Sequence, residues 1–371
     1  MINNKKDVRV LFITTIPAPY RVTFFNELGK NCDLTVLFER NESDERDESW
    51  SHYSFENFNG IILKGMKTDV DKALSFQVIK YLSSKKYDRF VIHNMATPTG
   101  LLAVTYLKLR KIPYIIEGDG GFPKNGKGFR ESLKRYLISG AECCLSPNDS
   151  FDDYCRTYGA KDEEIVRYPF SSISNADLID LSEKTIQKIH ISEKKTLGIN
   201  EPKMILTVGQ FIHRKGFDTL INVAKKLSDD VGVYFVGGVP TKEYLELANG
   251  HKNIHFIGFI SPEELKHYYR SADIFVLPTR EDIWGLVVNE AMANALPVVT
   301  TDRCGAGLEL VENGLNGYIV PVDDESELQK SLNSIIDIID KEVYFEMCSN
   351  SLSKIKDYTI ETMVDSHVEI F

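Results

Sequence analysis

The sequence predicts an α/β protein made of two doubly wound, parallel-sheet, Rossmann-like domains. Three observations carry that expectation. Strand-like and helix-like segments alternate from end to end, the pattern of parallel sheets crossed by helices. The alternation runs as two series, and it loosens between them after Tyr168 and Pro169. At 371 residues the chain is long for one such unit and sufficient for two, each with its own core.

In the first series, strands are expected at about 8–14, 34–38, 89–93, 113–117, 141–145 and 164–168. These are short, β-branched apolar runs. Helices fall between them, notably at 21–30, 71–84, 99–110, 129–139 and 149–158, where apolar residues recur at helical spacing. Residues 39–56, rich in Glu, Asp, Arg and Ser, read as an exposed charged loop. The second series places strands near 203–208, 232–236, 254–257, 273–277, 297–300 and 317–320. No fixed-length repeat is evident, so the duplication is architectural. The expected division is a first domain over 1–170, a linker over 171–200 and a second domain over 201–344. The tail beyond has helical spacing and no strand.

Composition narrows the function. Hydrophobic content of 43% and charged content of 26% describe a globular protein. No apolar run reaches the length of a membrane helix. The start imitates a signal peptide, yet VRVLFITT is short, β-branched and flanked by Asp7 and Arg9, so it reads as the first strand. Six cysteines form no C-x-x-C pair, which points to buried thiols in a reducing cytoplasm. A net charge of −10 argues against a nucleic-acid partner. Basic residues nevertheless concentrate in 101–140, especially 124–135, where Lys124, Lys127, Arg130, Lys134 and Arg135 stand beside Phe129, Leu133 and Tyr136. Two readings stay open: an ordinary solvated helix face, or peripheral contact with an anionic membrane or a lipid diphosphate.

Open parallel sheets bind ligands beyond the carboxyl ends of their strands. After the strand ADIFVLP, the run PTREDIWGLVVNE (278–290) sets Asp282 and Glu290 across a loop-to-helix junction, with Gly285 at the turn. Amides of Trp284, Gly285 and Leu286 at a helix start favour an anion, for which a diphosphate is a candidate. Glu290, on the helix, could accept both hydroxyls of a ribose, and Asp282 could face a sugar. Spacing leaves Glu281 as a rival to Asp282. In MILTVGQFIHRKGFDTLI (204–221), Gly209 ends a strand and Gly216 opens a helix. Arg214 and Lys215 stand between them, two cations able to neutralise a diphosphate. Ser261, Pro262 and Glu264 read as a capping box that opens a helix.

In the first domain the glycine-rich loop IIEGDGGFPKNG (115–126) follows a strand and carries Glu117 and Asp119, each a candidate for catalysis or for stabilising the turn. His93 ends the strand RFVIH. Asp69-Val70-Asp71 looks like a metal-binding D-x-D but reads better as a helix N-cap. No P-loop, dinucleotide fingerprint or His/Cys cluster of metal-ligand spacing is present.

The 278–299 run resembles the E-x7-E signature of retaining GT-B glycosyltransferases of family 4, the glycogen synthase-like group, in its form E-x-F-G-L-x-x-x-E-A-M-A. Here Asp282 stands for the first acid and Trp284 for Phe. The 209–216 segment resembles the family's G-R-x4-K-G clamp, with Gln210 replacing Arg, Lys215 matching directly and Arg214 a substitute cation. ENGLNGYIVP (312–321) also matches. The resemblance implies the GT-B fold, two Rossmann-like domains facing across a cleft, with 345–371 crossing back to the first. It implies transfer of a sugar from a nucleotide-sugar donor, with retention and without a metal or other cofactor. The acceptor it implies is a saccharide, lipid-linked in this subgroup, in surface or capsular polysaccharide synthesis at the inner face of the membrane. It also puts Phe259 and Ile260 at the nucleotide base. Tyr20 and Arg21, in TIPAPYR, would lie near donor and acceptor, Arg21 as a phosphate contact, and the family's His-Asp pair would fall at Asp119 and Gly120. A GT-B nucleotide-sugar epimerase and a non-catalytic nucleotide-sugar-binding subunit remain the alternatives. The sugar, base, acceptor and oligomeric state are not legible.

Overall fold

A computed structural model describes residues 7–41, 54–69, 72–93, 95–123, 126, 128–181 and 185–371. The chain divides into two compact units, Met1–Ser172 with Thr359–Phe371, and Ile173–Tyr358.

The first unit holds strands β1 (Arg9–Thr14), β2 (Asp33–Phe38), β3 (Asn59–Ile62), β4 (Met66–Lys67), β5 (Ala73–Leu74), β6 (Arg89–His93), β7 (Ile115–Glu117), β8 (Cys143–Ser146) and β9 (Ile165–Arg167). Seven form one sheet in the order β3-β2-β1-β6-β7-β8-β9, every pair parallel. Helices α1 (Pro19–Leu28), α2 (Pro98–Leu109), α3 (Phe129–Ile138) and α4 (Asp149–Thr157) connect them. Val10, Leu11, Phe12 and Ile13 are wholly buried, because a parallel strand covered on both faces must be apolar throughout. Strand order reverses between β1 and β6, which opens a crevice at their carboxyl ends.

The second unit begins with α5 (Ile186–Leu197). It continues with β10 (Lys203–Val208), α6 (Phe217–Ala224), β11 (Val231–Val236), α7 (Lys242–Ala248), β12 (Ile254–Ile257), α8 (Pro262–Ser271), β13 (Ile274–Leu277) and α9 (Leu286–Ala293). Then come β14 (Val298–Thr301), α10 (Gly305–Leu310), β15 (Gly317–Val320), α11 (Glu325–Ile336) and α12 (Glu342–Ile355). The sheet runs β12-β11-β10-β13-β14-β15, again all parallel. Its order reverses between β10 and β13. A last helix, α13 (Ile360–Ile370), belongs to the first unit and packs on α1.

Three features differ from the sequence expectation. The stretch expected as linker contains α5, which packs on α8. It is anchored by Asp273, whose carboxylate receives Lys194 Nζ at 2.6 Å, the Met204 amide at 2.7 Å and His190 Nδ1 at 3.1 Å. The tail expected as one crossover splits, α12 staying with the second unit and α13 joining the first. The helix expected at 71–84 is replaced by the β4-β5 hairpin and a 3₁₀ turn at Phe76–Lys80. Ser75 explains the replacement, since its amide donates to Thr99 Oγ1 at 3.0 Å and its hydroxyl to the Lys64 carbonyl at 2.7 Å. Those bonds hold the chain extended against its helical spacing. Asp69 lies at the hairpin turn, 3.1 Å from Lys72 Nζ, instead of capping a helix. Asp71, Asn94 and most of the charged loop 39–56 lie outside the described residues.

Candidate functional site

The two crevices each gather charged side chains. In the second unit, β10 delivers the segment Gly209–Gly216. A 3₁₀ turn at His213–Lys215 is closed by Gly216 at φ +65°, where an added Cβ would stand 2.0 Å from the Pro278 carbonyl oxygen. The tight approach of that turn to the end of β13 brings Lys215 Nζ to 2.6 Å from Asp282 Oδ2, with Arg214 at 3.4 Å from the same oxygen. Arg214 NH1 also donates to the Glu281 carbonyl at 2.7 Å. Glu281 itself turns to Arg303, at 3.1 Å, so Asp282 is the acid that faces the cations. Arg280 holds the turn from below, donating to the His213 carbonyl and to both carboxylate oxygens of Asp218.

Gly285, at φ +99°, is the N-cap of α9, and no side chain caps that terminus. The first-turn amides of α9 therefore carry the partial positive charge of a helix start. The Trp284 side chain points into the unit, not outward. It is buried, its indole donates to Asn289 Oδ1 at 2.8 Å, and its carbonyl accepts from Ala306 and Cys304. It anchors the loop. Leu286 is half-buried at the helix start.

Glu290 lies on the next turn of α9. Burial raises its carboxyl to about 7, and Asp177 adds to the rise, while the Tyr269 hydroxyl and the Lys215 ammonium oppose it. Lys215 is thus close enough to act on both Asp282 and Glu290. Tyr269 donates to Glu290 Oε2 at 2.8 Å. Beyond β12, Phe259 is 56% exposed and Ile260 half-buried, while the Ser261–Glu264 capping box forms as expected.

In the first unit, β6 and β7 end at His93 and Glu117. Arg21, on α1, is 1% exposed, and its NH1 lies 2.5 Å from Glu117 Oε1 while NH2 is paired with Asp119. Burial alone would raise both carboxyls, but Arg21 together with the neighbouring histidines, His367 and His93 for Glu117 and His93 for Asp119, lowers them. At 1% exposure, with both terminal nitrogens on carboxylates, Arg21 is held as an internal cation of the first unit. Tyr20 meets Phe170 edge-on at 6.1 Å. His93 donates or accepts at both ring nitrogens, with Thr14 Oγ1 at 2.9 Å and Asp119 Oδ1 at 3.0 Å. Its role is to orient Asp119, whose side chain, 27% exposed, reaches the surface while that of Glu117 is fully buried. Sequence reasoning missed His367 of α13, which reaches Glu117 Oε2 at 3.1 Å across 250 positions, with its Nδ1 2.7 Å from the Met363 carbonyl. No local signal marks such a contact. His93, Glu117 and Asp119 cluster as metal ligands would, but a cation there would have to displace Arg21.

The basic stretch is partly used internally. Arg135 donates to the Thr157 carbonyl, and Lys134 Nζ lies over the Tyr154 and Tyr158 rings at 5.3 and 4.9 Å. Arg130 and Phe129 are exposed, and Lys124 and Lys127 lie outside the described residues. All six cysteines are buried and unbridged. Among the described residues no helix is long and apolar enough to cross a membrane.

Comparison with known proteins bears on the family and the fold. Residues 190–346 match the family described as "Glycosyl transferases group 1". An uncharacterized 41.2 kDa protein in the cps region of Klebsiella pneumoniae is 27% identical over 320 residues, 81% of this chain and 82% of that protein. The N,N'-diacetylbacillosaminyl-diphospho-undecaprenol alpha-1,3-N-acetylgalactosaminyltransferase of Campylobacter jejuni is 22% identical over 316 residues, 80% of each. Among solved structures, Anabaena Alr3699/HepE in complex with UDP superposes with a TM-score of 0.78 at 15% identity, over 98% of this chain and 99% of that one.

Proposed function

We propose that this chain, a group 1 glycosyl transferase with the GT-B fold, transfers a sugar from a nucleoside diphosphate donor to a saccharide acceptor with retention of configuration, in the synthesis of a surface or capsular polysaccharide. One observation carries the reading: Lys215, Asp282, Glu290 and the uncapped start of α9 converge at the switch point of one parallel sheet. In the proposed complex the donor diphosphate takes Lys215 and Arg214 away from Asp282 and receives the α9 amides. Asp282 then accepts from the sugar, and Glu290 accepts from the ribose. The leaving phosphate, stabilised by these donors, takes the acceptor's proton as the glycosidic bond breaks and the new one forms on the same face. Asp119, aimed by His93 and Arg21, meets the acceptor.

The Campylobacter relative, whose name states a diphospho-undecaprenol substrate, supports a lipid-linked acceptor. Exposed Phe129 and Arg130 support peripheral contact with an anionic membrane. The chemistry is proposed to need no metal, so activity should survive EDTA. The primary test is a thermal-shift panel of UDP-, GDP-, ADP- and dTDP-sugars on the purified protein. A donor that stabilises the wild type, yet neither Lys215→Ala nor Glu290→Gln, supports the site. Absence of stabilisation by every donor, together with wild-type transfer in both variants, contradicts it.

A further inference from the structure

We propose that Tyr269 is a positioning residue of the nucleotide site: its hydroxyl holds one oxygen of Glu290 so that the other faces the ribose hydroxyls of a bound nucleoside diphosphate. The inference rests on the preceding reading of that site and names the residue that orients its acid.

Tyr269 stands on α8, 2% exposed, its ring 5.8 Å from that of Phe275 in the adjacent strand. Burial and the Phe275 ring restrict its motion. Its hydroxyl lies 2.8 Å from Glu290 Oε2, and among the described residues no other group donates to that carboxylate. Glu290 Oε1 is thereby left as an acceptor of defined direction, suited to a vicinal diol. The other charged groups that face Glu290 do not orient it. Asp177, in the turn Asn175–Asp177, repels it and is paired with Lys266 at 2.7 Å, and Lys215 is bonded to Asp282. A purely structural phenol would be satisfied by any carbonyl. Here it meets an acid that burial makes costly to ionise, and its hydrogen bond favours the charged form that a ribose needs as acceptor.

The test uses calorimetric binding of UDP, GDP or ADP, whichever most raises the wild-type melting temperature, alongside its 2′-deoxy counterpart. Tyr269→Phe is expected to weaken the ribonucleotide by about fivefold to tenfold and the deoxynucleotide by less than twofold. The acid limb of binding should move to higher pH, and donor KM should rise with kcat within twofold. Equal weakening of both nucleotides, or none, overturns the inference. If Tyr269→Phe is too unstable to assay, the Tyr269→Phe/Glu290→Gln pair replaces it. Affinity equal to that of Glu290→Gln alone upholds the inference, and weaker affinity overturns it. Glu290→Gln separates the two layers: wild-type binding in that variant defeats the nucleotide site itself, whereas a defect there with a neutral Tyr269→Phe defeats only the role of Tyr269.

Discussion

Lys215 Nζ lies 2.6 Å from Asp282 Oδ2, joining residues 67 positions apart at the ends of the two strands where sheet order reverses. The pair is mostly buried, each side chain about one-seventh exposed. Lys215→Ala removes the cation proposed to face the developing phosphate charge. Transfer is expected to fall by roughly a hundredfold to a thousandfold, with the midpoint of urea unfolding nearly unchanged. Steady-state assays beside a denaturation curve decide it, and activity within a few-fold of wild type would contradict the assignment.

Glu290 predicts a pH dependence of stability. Its carboxyl titrates at about 7 in the folded chain against 4.5 ordinarily. Below 4.5 both states are protonated. Between the two values the unfolded chain ionises first, so the folded state loses stability as pH rises, and the loss is complete above about 7. Glu290→Gln cannot ionise, so its melting temperature should match the wild type near pH 4 and exceed it by a few degrees at pH 8. Parallel curves across that range would show that the site is not desolvated.

Arg21 should behave as a structural cation. Arg21→Met leaves the buried carboxylate of Glu117 without its cation and beside the partly exposed Asp119, which is expected to cost about 3–5 kcal/mol. Asp119→Asn keeps the hydrogen-bonded shape and should cost far less stability while impairing transfer. Denaturant titration of both variants, with transfer assays on the second, checks the contrast.

Gly216→Ala tests the clamp turn. Its φ of +65° disfavours any side chain, and the new Cβ would collide with the Pro278 carbonyl. Destabilisation beyond about 1 kcal/mol is expected, with donor KM raised because Lys215 is displaced. Unchanged donor affinity would mean that the turn does not position the cation.

Both strand series were legible because parallel strands covered on two faces must be continuously apolar, as in Val10–Ile13 and Met204–Leu206. Lys215, Asp282 and Glu290 were legible because they fall just past such strands or on the helix that follows. What escaped was set by partners remote in sequence. Ser75 defeated a helix through Thr99 and Lys64, and Asp273 drew 186–197 out of a supposed linker. The Trp284 indole found Asn289, and its carbonyl found the 304–306 segment. Arg21 is committed to Glu117 and Asp119, and Glu117 in turn drew His367 from the last helix. Periodicity reports which face of an element is apolar, and it is silent about which polar groups meet across the fold.

Because α13 completes the unit that β1 begins, residues 173–358 are topologically an insertion into it. Excising that insertion alone should give an autonomous folding body that still binds a nucleotide. The remaining 1–172 fragment, by contrast, should stay unstable until the peptide 359–371 is added in trans and supplies Glu117 with its histidine.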